Sequence, residues 1–192
     1  GIEYYGWDPQ TTFIDSPYQI AGTNFYIQNS DRLYHGTVPM TTAVSWSYNI
    51  PAVRAFETVG YERAKLFAER LGIPVTKDEP TTAIGGNVDG VSTLQMAGAF
   101  ASFGNKGYYN KPSTIVKVFN ATGKELVNIK SEPVKAMSEE TAYLMTNVLK
   151  GVLTNNGTSP DGKIPNFDMA GKSGSSTFDD TAFYNYGIDV VN

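Results

Sequence analysis

The sequence predicts mixed α and β structure, and three observations lead there. Apolar residues recur at helical spacing behind recognisable caps in the stretches around 50–71, 92–104 and 138–152. A turn signal, Asn120-Ala121-Thr122-Gly123, separates two runs of strand character, Thr114 to Phe119 and Glu125 to Ile129. A run of small and hydroxylated residues around Lys172 leads into a strand-like stretch, Thr181 to Ile188.

The elements follow in order. Residues 1–36 are rich in aromatics, Pro, Asn and Asp and show little periodicity. Tyr4, Tyr5, Trp7, Phe13, Tyr18, Phe25, Tyr26 and Tyr34 are expected to pin an extended segment across a larger body. A base-stacking strip would need basic residues between the rings, which this segment lacks. Residues 37–166 form a mostly helical part. Thr37-Val38-Pro39 reads as a helix start, with a hydroxyl cap and Pro in the first turn, running to about Ser45 or Trp46. The helix breaks at Ser47-Tyr48-Asn49, and Ile50-Pro51 reopens helix as far as Gly60. Ser47 and Asn49 would then be caps of that second helix, which is a structural reading of both. Another helix runs from Tyr61, with Ala64, Phe67, Ala68 and Leu71 on one face and Gly72 as its stop.

Lys77 to Asn87 reads as loop, with Ile84-Gly85-Gly86 as a tight turn. Ser92 and Gln95 form a capping box, with Val91 and Met96 as a hydrophobic staple. The helix behind it has a small face, Ala97, Gly98, Ala99 and Ala101, which implies close packing, and ends near Gly104. The hairpin occupies 114–129. Ser138-Glu139-Glu140 opens the longest helix, its first-turn acids suiting the helix dipole, and Asn155-Asn156-Gly157 stops it. Thr154 to Asn166 is a polar connection into a final part, 167–192, of strands carrying Lys172.

Composition bounds the function. Hydrophobic residues at 41% and charged residues at 18% of 192 describe an ordinary globular chain. A net charge of −4 argues against nucleic acid as a partner. Without Cys there are no disulfides, thiolate catalysis or Cys-ligated metals, and one histidine, His35, builds neither a triad nor a metal site by itself. No metal and no cofactor is expected. The chain opens on Gly1-Ile2-Glu3 without Met, as a processed or excised piece would.

The stretch Met169-Ala170-Gly171-Lys172-Ser173-Gly174-Ser175-Ser176-Thr177 concentrates the chemistry. Small residues allow close backbone approach, Lys172 brings positive charge, and the hydroxyls of Ser173 and Ser175 can hydrogen-bond an anion. A phosphate-binding P-loop would need Gly where Asn166 stands and a helix after Ser173, so that match is weak. The alternative is a Lys-[Ser/Thr]-Gly box of the penicillin-recognising serine enzymes. Asp179-Asp180 is a possible acid/base pair, but neighbours on a strand face opposite ways. Asn120-Ala121-Thr122 and Asn156-Gly157-Thr158 fit a glycosylation triplet that arises easily by chance.

Ser47-Tyr48-Asn49-Ile50-Pro51-Ala52-Val53, taken with Ala170-Gly171-Lys172-Ser173-Gly174, resembles the transpeptidase domain of class A penicillin-binding proteins. Ile84 through Ala97, Glu139 through Leu153 and Phe178 through Ala182 resemble the same family, in its order. The resemblance implies an α/β, penicillin-binding/β-lactamase-like fold: an antiparallel sheet packed with helices, here incomplete. It implies acyl transfer through a serine, cross-linking peptidoglycan stem peptides, with β-lactams as inhibitors. In that reading Ser47 relays a proton to the departing amine, and Asn49 holds the donor peptide's amide. Lys172 polarises Ser47 and sets the field. Ser173, Gly174, Ser175 and Ser176 bind substrate, the hydroxyls of Ser173 and Ser175 taking the carboxylate of a D-Ala-D-Ala peptide or a β-lactam. The family's nucleophile sits in a Ser-x-x-Lys motif that is absent from these 192 residues. The expectation is a fragment that needs the remainder of its domain and is inert alone. Its place would be the extracellular face of the bacterial cytoplasmic membrane, anchored by a segment outside this chain. The same motifs also serve DD-carboxypeptidases, β-lactamases and non-catalytic β-lactam sensors.

Overall fold

The capped segments are helical in the computed structural model, which describes residues 1–86, 90–128, 132–174 and 187–191, with backbone only for 128 and 187–191. The first 36 residues hold more local order than an extended strap. They contain a one-turn helix, α1 (Ile2–Tyr5), and three short strands, β1 (Thr12–Asp15), β2 (Tyr18–Gln19) and β3 (Tyr26–Ile27). Trp7 lies edge-on to Phe13 with ring centroids 5.1 Å apart, so the aromatics do fasten this segment to itself.

The expected helix start at Thr37-Val38-Pro39 is overturned. Those residues belong to β4 (Gly36–Pro39), which pairs antiparallel with β1, Phe13 opposite Val38 and Ile14 opposite Thr37. The hydroxyl-plus-Pro signal lost to a strand partner more than twenty residues upstream, which local spacing does not reveal. Pro39 is the N-cap position, and α2 spans Met40–Ser45 with no side-chain cap.

Next come α3 (Asn49–Val59) and α4 (Tyr61–Arg70), with Gly72 just beyond α4 at φ 74. The loop expected at 77–87 contains a 3₁₀ helix, Pro80–Ile84, that lies against α3. Helix α5 (Thr93–Gly104) begins with the expected capping box. Its small face permits a close approach: a Cβ on Gly98 would stand 2.7 Å from Pro112 Cγ. Strand β5 (Tyr108–Tyr109) follows. The hairpin forms from β6 (Lys117–Phe119) and β7 (Glu125–Asn128). At its turn Asn120 Oδ1 accepts from Thr122 N and Lys124 N, and Gly123 adopts φ 82. Strand β8 (Val134–Lys135) pairs with β5.

Ser138 caps α6 (Glu139–Lys150), accepting from Thr141 N at 3.1 Å. Glu3 braces the same end, its Oε2 accepting from Ser138 N, Ser138 Oγ and Thr141 Oγ1. The helix ends at Lys150, ahead of the expected Asn155-Asn156-Gly157 stop, and tightens into a 3₁₀ turn, Gly151–Leu153. A second 3₁₀ turn, Pro160–Gly162, interrupts the connection that follows. Strand β9 (Ala170–Gly174) pairs antiparallel with β10 (Gly187–Val191), Lys172 opposite Asp189. The strand expected at 181–188 thus lies outside the described residues up to 186.

Two apolar clusters hold these elements. Leu71, Ala99, Ala136, Met137 and Ala142 join α4, α5 and α6, with Phe67, Phe103 and Tyr109 packed around them. Ile27, Ile50 and Val53 join α3 to the β2–β3 hairpin. The arrangement that matters for the site is a shared wall. Both α2 and β9 lie against α6 and its 3₁₀ extension, where Val152 is fully buried. Contact there is tight, because a Cβ on Gly151 would stand 2.3 Å from Ser45 Oγ. The helices α5 and α6 cover the β10–β9 ladder, so this part is an antiparallel ladder packed with helices.

Candidate functional site

The end of α2 determines where Ser47 points. Ser47 N donates to Val44 O at 3.2 Å and Tyr48 N donates to Ala43 O at 2.9 Å. That is the hydrogen-bond pair of a Schellman motif, which requires a left-handed residue after the helix cap. Ser47 is that residue, at φ 58. Glycine is the usual choice there, and a serine costs about 1 kcal/mol in backbone strain.

Strand β9 supplies the other half. Its burial falls along its length, with Ala170 and Gly171 buried, Lys172 and Ser173 half-buried, and Gly174 exposed. The strand thus emerges from the core at Lys172. Lys172 Nζ donates to Ser47 Oγ at 2.8 Å and to Ser173 O at 2.8 Å, joining residues 125 apart in sequence. Burial lowers the Lys172 pKa from the 10.5 of a free lysine. An ammonium held by neutral oxygens in a half-buried place gives up a proton more readily than an exposed one.

Asn49 is positioned by Gln28 and Asn29, and the helix-cap reading of it is overturned. Neither Ser47 nor Asn49 caps α3 through its side chain. The cap is Asn29, whose Oδ1 accepts from Asn49 N at 2.9 Å and Ile50 N at 3.4 Å. The Asn49 side chain donates to Gln28 O at 2.8 Å. That bond holds it next to the Ser47 turn.

A buried polar network supports this turn, and it involves residues that local reading passed over. Asp15 is fully buried. It accepts from Asn29 Nδ2 at 3.0 and 2.8 Å, from His35 N at 3.0 Å, and faces His35 Nδ1 at 2.7 Å. His35 Nε2 lies 3.2 Å from Asp31 Oδ2. The imidazole stacks on Tyr48, centroids 4.1 Å apart and planes 12° from parallel. Burial raises the Tyr48 phenol pKa, helped by the charges of Asp31 and Asp15. The single histidine therefore buttresses the middle residue of Ser47-Tyr48-Asn49.

Ser173 Oγ lies 2.6 Å from Thr158 Oγ1, a second partner that spacing alone does not reveal. Gly174 ends β9 opposite Gly187, with nothing among the described residues within 4 Å of where a Cβ would be. Ser175, Ser176 and Asp179-Asp180 lie outside the described residues. Among the described residues no group of His, Asp and Glu is arranged to hold a metal ion, and no helix is long and apolar enough to cross a membrane.

Comparison with known proteins bears on the family and the fold. The chain is 39% identical over 193 residues to penicillin-binding protein 1A/1B of Bacillus subtilis, covering 97% of this chain and 21% of that protein. The chain thus spans about a fifth of that relative's length. Among solved structures, a D,D-transpeptidase domain of a peptidoglycan glycosyltransferase from Eggerthella lenta superposes with a TM-score of 0.80 at 20% identity, covering 98% of this chain and 54% of that one. Penicillin-binding protein 3 of Mycobacterium tuberculosis, solved with aztreonam, gives 0.78 at 21% identity, covering 97% of this chain and 48% of that one. At such identities the two structures establish the fold, a partial penicillin-binding/β-lactamase-like one with mixed helix and strand. The family model for the penicillin binding protein transpeptidase domain matches residues 1–187, and with the relative above it shows that the chain belongs to that family, in its class A, 1A type.

Proposed function

We propose that this chain forms the amine-handling and carboxylate-handling side of a D,D-transpeptidase site that cross-links peptidoglycan stem peptides. The observation that carries the reading is the 2.8 Å bond from Lys172 Nζ to Ser47 Oγ. A serine nucleophile from the Ser-x-x-Lys motif, supplied by the part of the domain outside these 192 residues, adds to the carbonyl carbon of the penultimate D-Ala as its hydroxyl proton passes to the lysine of the same motif, which returns it when the serine later leaves. The C–N bond to the terminal D-Ala then breaks. Its nitrogen takes the Ser47 hydroxyl proton, and Lys172 returns a proton to Ser47 Oγ across the existing bond. An acceptor amine later attacks the acyl-enzyme, and its surplus proton leaves by the same route in reverse.

In this reading Asn49 holds the donor peptide's amide, and its tether to Gln28 O fixes the side chain for that role. Ser173 and Ser175 take the terminal carboxylate, and Gly174 and Ser176 belong to the same substrate-binding run. A β-lactam presents the same carboxylate beside a strained amide, so it acylates the same serine and inhibits. The substrate places the reaction outside the cytoplasmic membrane, with anchoring supplied elsewhere in the protein.

The test compares the full-length protein with this 192-residue chain, each incubated with a fluorescent penicillin. The full-length protein is expected to be labelled at a serine of a Ser-x-x-Lys motif, and the chain alone to carry no covalent adduct. An adduct on Ser47 in the isolated chain, found by mass spectrometry, would make Ser47 the nucleophile and overturn the relay role. Acyl-enzyme that forms but never passes to an amine acceptor would favour a β-lactam sensor.

A further inference from the structure

We infer that Thr158 is a positioning residue for the carboxylate subsite, orienting the Ser173 hydroxyl and linking it to the end of α2, two residues before Ser47. This rests on the acyl-transfer reading above and assigns a residue that neither motif contains.

Three observations converge on Thr158. Its hydroxyl lies 2.6 Å from Ser173 Oγ. Its backbone N–H donates to Ser45 O at 3.0 Å, occupying a carbonyl that the end of α2 would otherwise leave unsatisfied. Ser45 lies two residues before Ser47, so Thr158 touches both sides of the site. Its neighbours are themselves fixed. Ser159 N donates to Val152 O at 3.0 Å, and Gly157 N to Thr154 O at 3.0 Å. A Cβ on Gly157 would stand 2.4 Å from Gly151 O, so only glycine lets the chain fold back closely enough to present Thr158.

The hydroxyl pair has a chemical consequence. Each hydroxyl has one proton to donate and two lone pairs to accept with. When Thr158 donates to Ser173 Oγ, the Ser173 proton is left free, and it is the proton a substrate carboxylate needs. Without Thr158 the Ser173 hydroxyl can rotate and give that proton to water or a carbonyl. The pair therefore converts Ser173 from a free rotor into a directed donor, the kind of preorganisation that helps hold charge in place. Both Thr158 and Gly174 are exposed, so the pair stands at an open edge that a ligand can reach.

The test uses the full-length protein and the rate constant of acylation by a penicillin and by its methyl ester. The readout is the acid-to-ester ratio. Thr158→Val keeps shape and removes the hydroxyl, and is expected to lower the ratio about three- to tenfold, the span of one hydrogen bond. Thr158→Ser restores most of the ratio. Ser173→Val is the reference, and it should collapse the ratio further. If Ser173→Val lowers the ratio and Thr158→Val does not, the Thr158 role is wrong and the carboxylate subsite stands. If Ser173→Val also leaves the ratio unchanged, the subsite reading itself fails. Equal losses for acid and ester in Thr158→Val, with the ratio intact, would make Thr158 a brace between α2 and β9 and overturn the orienting role. A urea unfolding curve for each variant identifies losses that come from the fold.

Discussion

Lys172 reaches Ser47 with its Nζ 2.8 Å from the serine Oγ, although the two residues are 125 positions apart. The contact exists because α2 and β9 rest on the same wall, α6 and its 3₁₀ extension. An ammonium there stabilises negative charge that develops on Ser47 or beyond it. Removing one such donor from a site of this kind costs about 2–4 kcal/mol of transition-state stabilisation. Lys172→Ala in the full-length protein is therefore expected to slow β-lactam acylation by about 10²–10³-fold, measured by stopped-flow or quenched labelling. An acylation rate within a few-fold of wild type would remove Lys172 from the chemistry.

The depressed Lys172 pKa also gives stability a pH dependence of known sign. Burial lowers the pKa in the folded protein, while the unfolded chain titrates near 10.5. Between the two values the unfolded state binds more protons than the native state, so stability rises with pH across that window. Lys172→Met has no such proton to release. Wild type is expected to gain stability relative to Lys172→Met as pH climbs toward 10.5, followed by urea denaturation at a series of pH values. A stability difference that stays flat would mean the lysine is as well hydrated as a free one.

Ser47 sits where a helix terminus calls for glycine, so its conformation and its hydroxyl can be separated by mutation. Ser47→Ala and Ser47→Gly both remove the hydroxyl and the bond to Lys172. Only glycine relaxes the left-handed backbone at φ 58. The glycine variant is expected to be more stable than the alanine variant by about 1 kcal/mol. Both are expected to be slow in acyl transfer. Equal urea midpoints would show that the backbone at 47 carries no strain.

The network behind the Ser47 turn predicts an order of severity. His35→Ala loses the stack on Tyr48 and the bond to Asp15, and is expected to cost about 1–3 kcal/mol. Asn29→Ala removes the α3 cap and also strips two donor contacts from the buried Asp15 carboxylate. It is expected to cost more, about 2–4 kcal/mol. Equilibrium unfolding of the two variants checks the order, and a neutral Asn29→Ala would dismiss the capping account.

What the sequence made legible is what neighbours in the chain decide. The Ser92–Gln95 capping box, the Ser138 cap, the turn at Asn120 to Gly123 and the strand through Lys172 all depend on residues within a few positions. Their signals survive into the structure. The misread helix start at Thr37-Val38-Pro39 depended on β1, and the α3 cap depended on Asn29, twenty residues before the amide it accepts from. Long-range partners leave no mark in periodicity. Motifs behaved the same way: they singled out Ser47 and Lys172, and the structure brings those two side chains together. Asp15, His35 and Thr158 act by holding other residues, and many side-chain types are plausible at such places, so no local pattern singles them out.

The space between Gly151 and Ser45 has a consequence for how the Ser47 turn can be reached from a distance. A Cβ at 151 would stand 2.3 Å from Ser45 Oγ but 3.6 Å from Ser45 Cβ, so the hydroxyl alone has to move. Ser45 can yield by turning its Oγ to another rotamer, leaving the buried place it now holds. Position 151 is thereby joined to the residue two before Ser47 through a single rotor, a route by which a change behind the turn is felt at it without touching it.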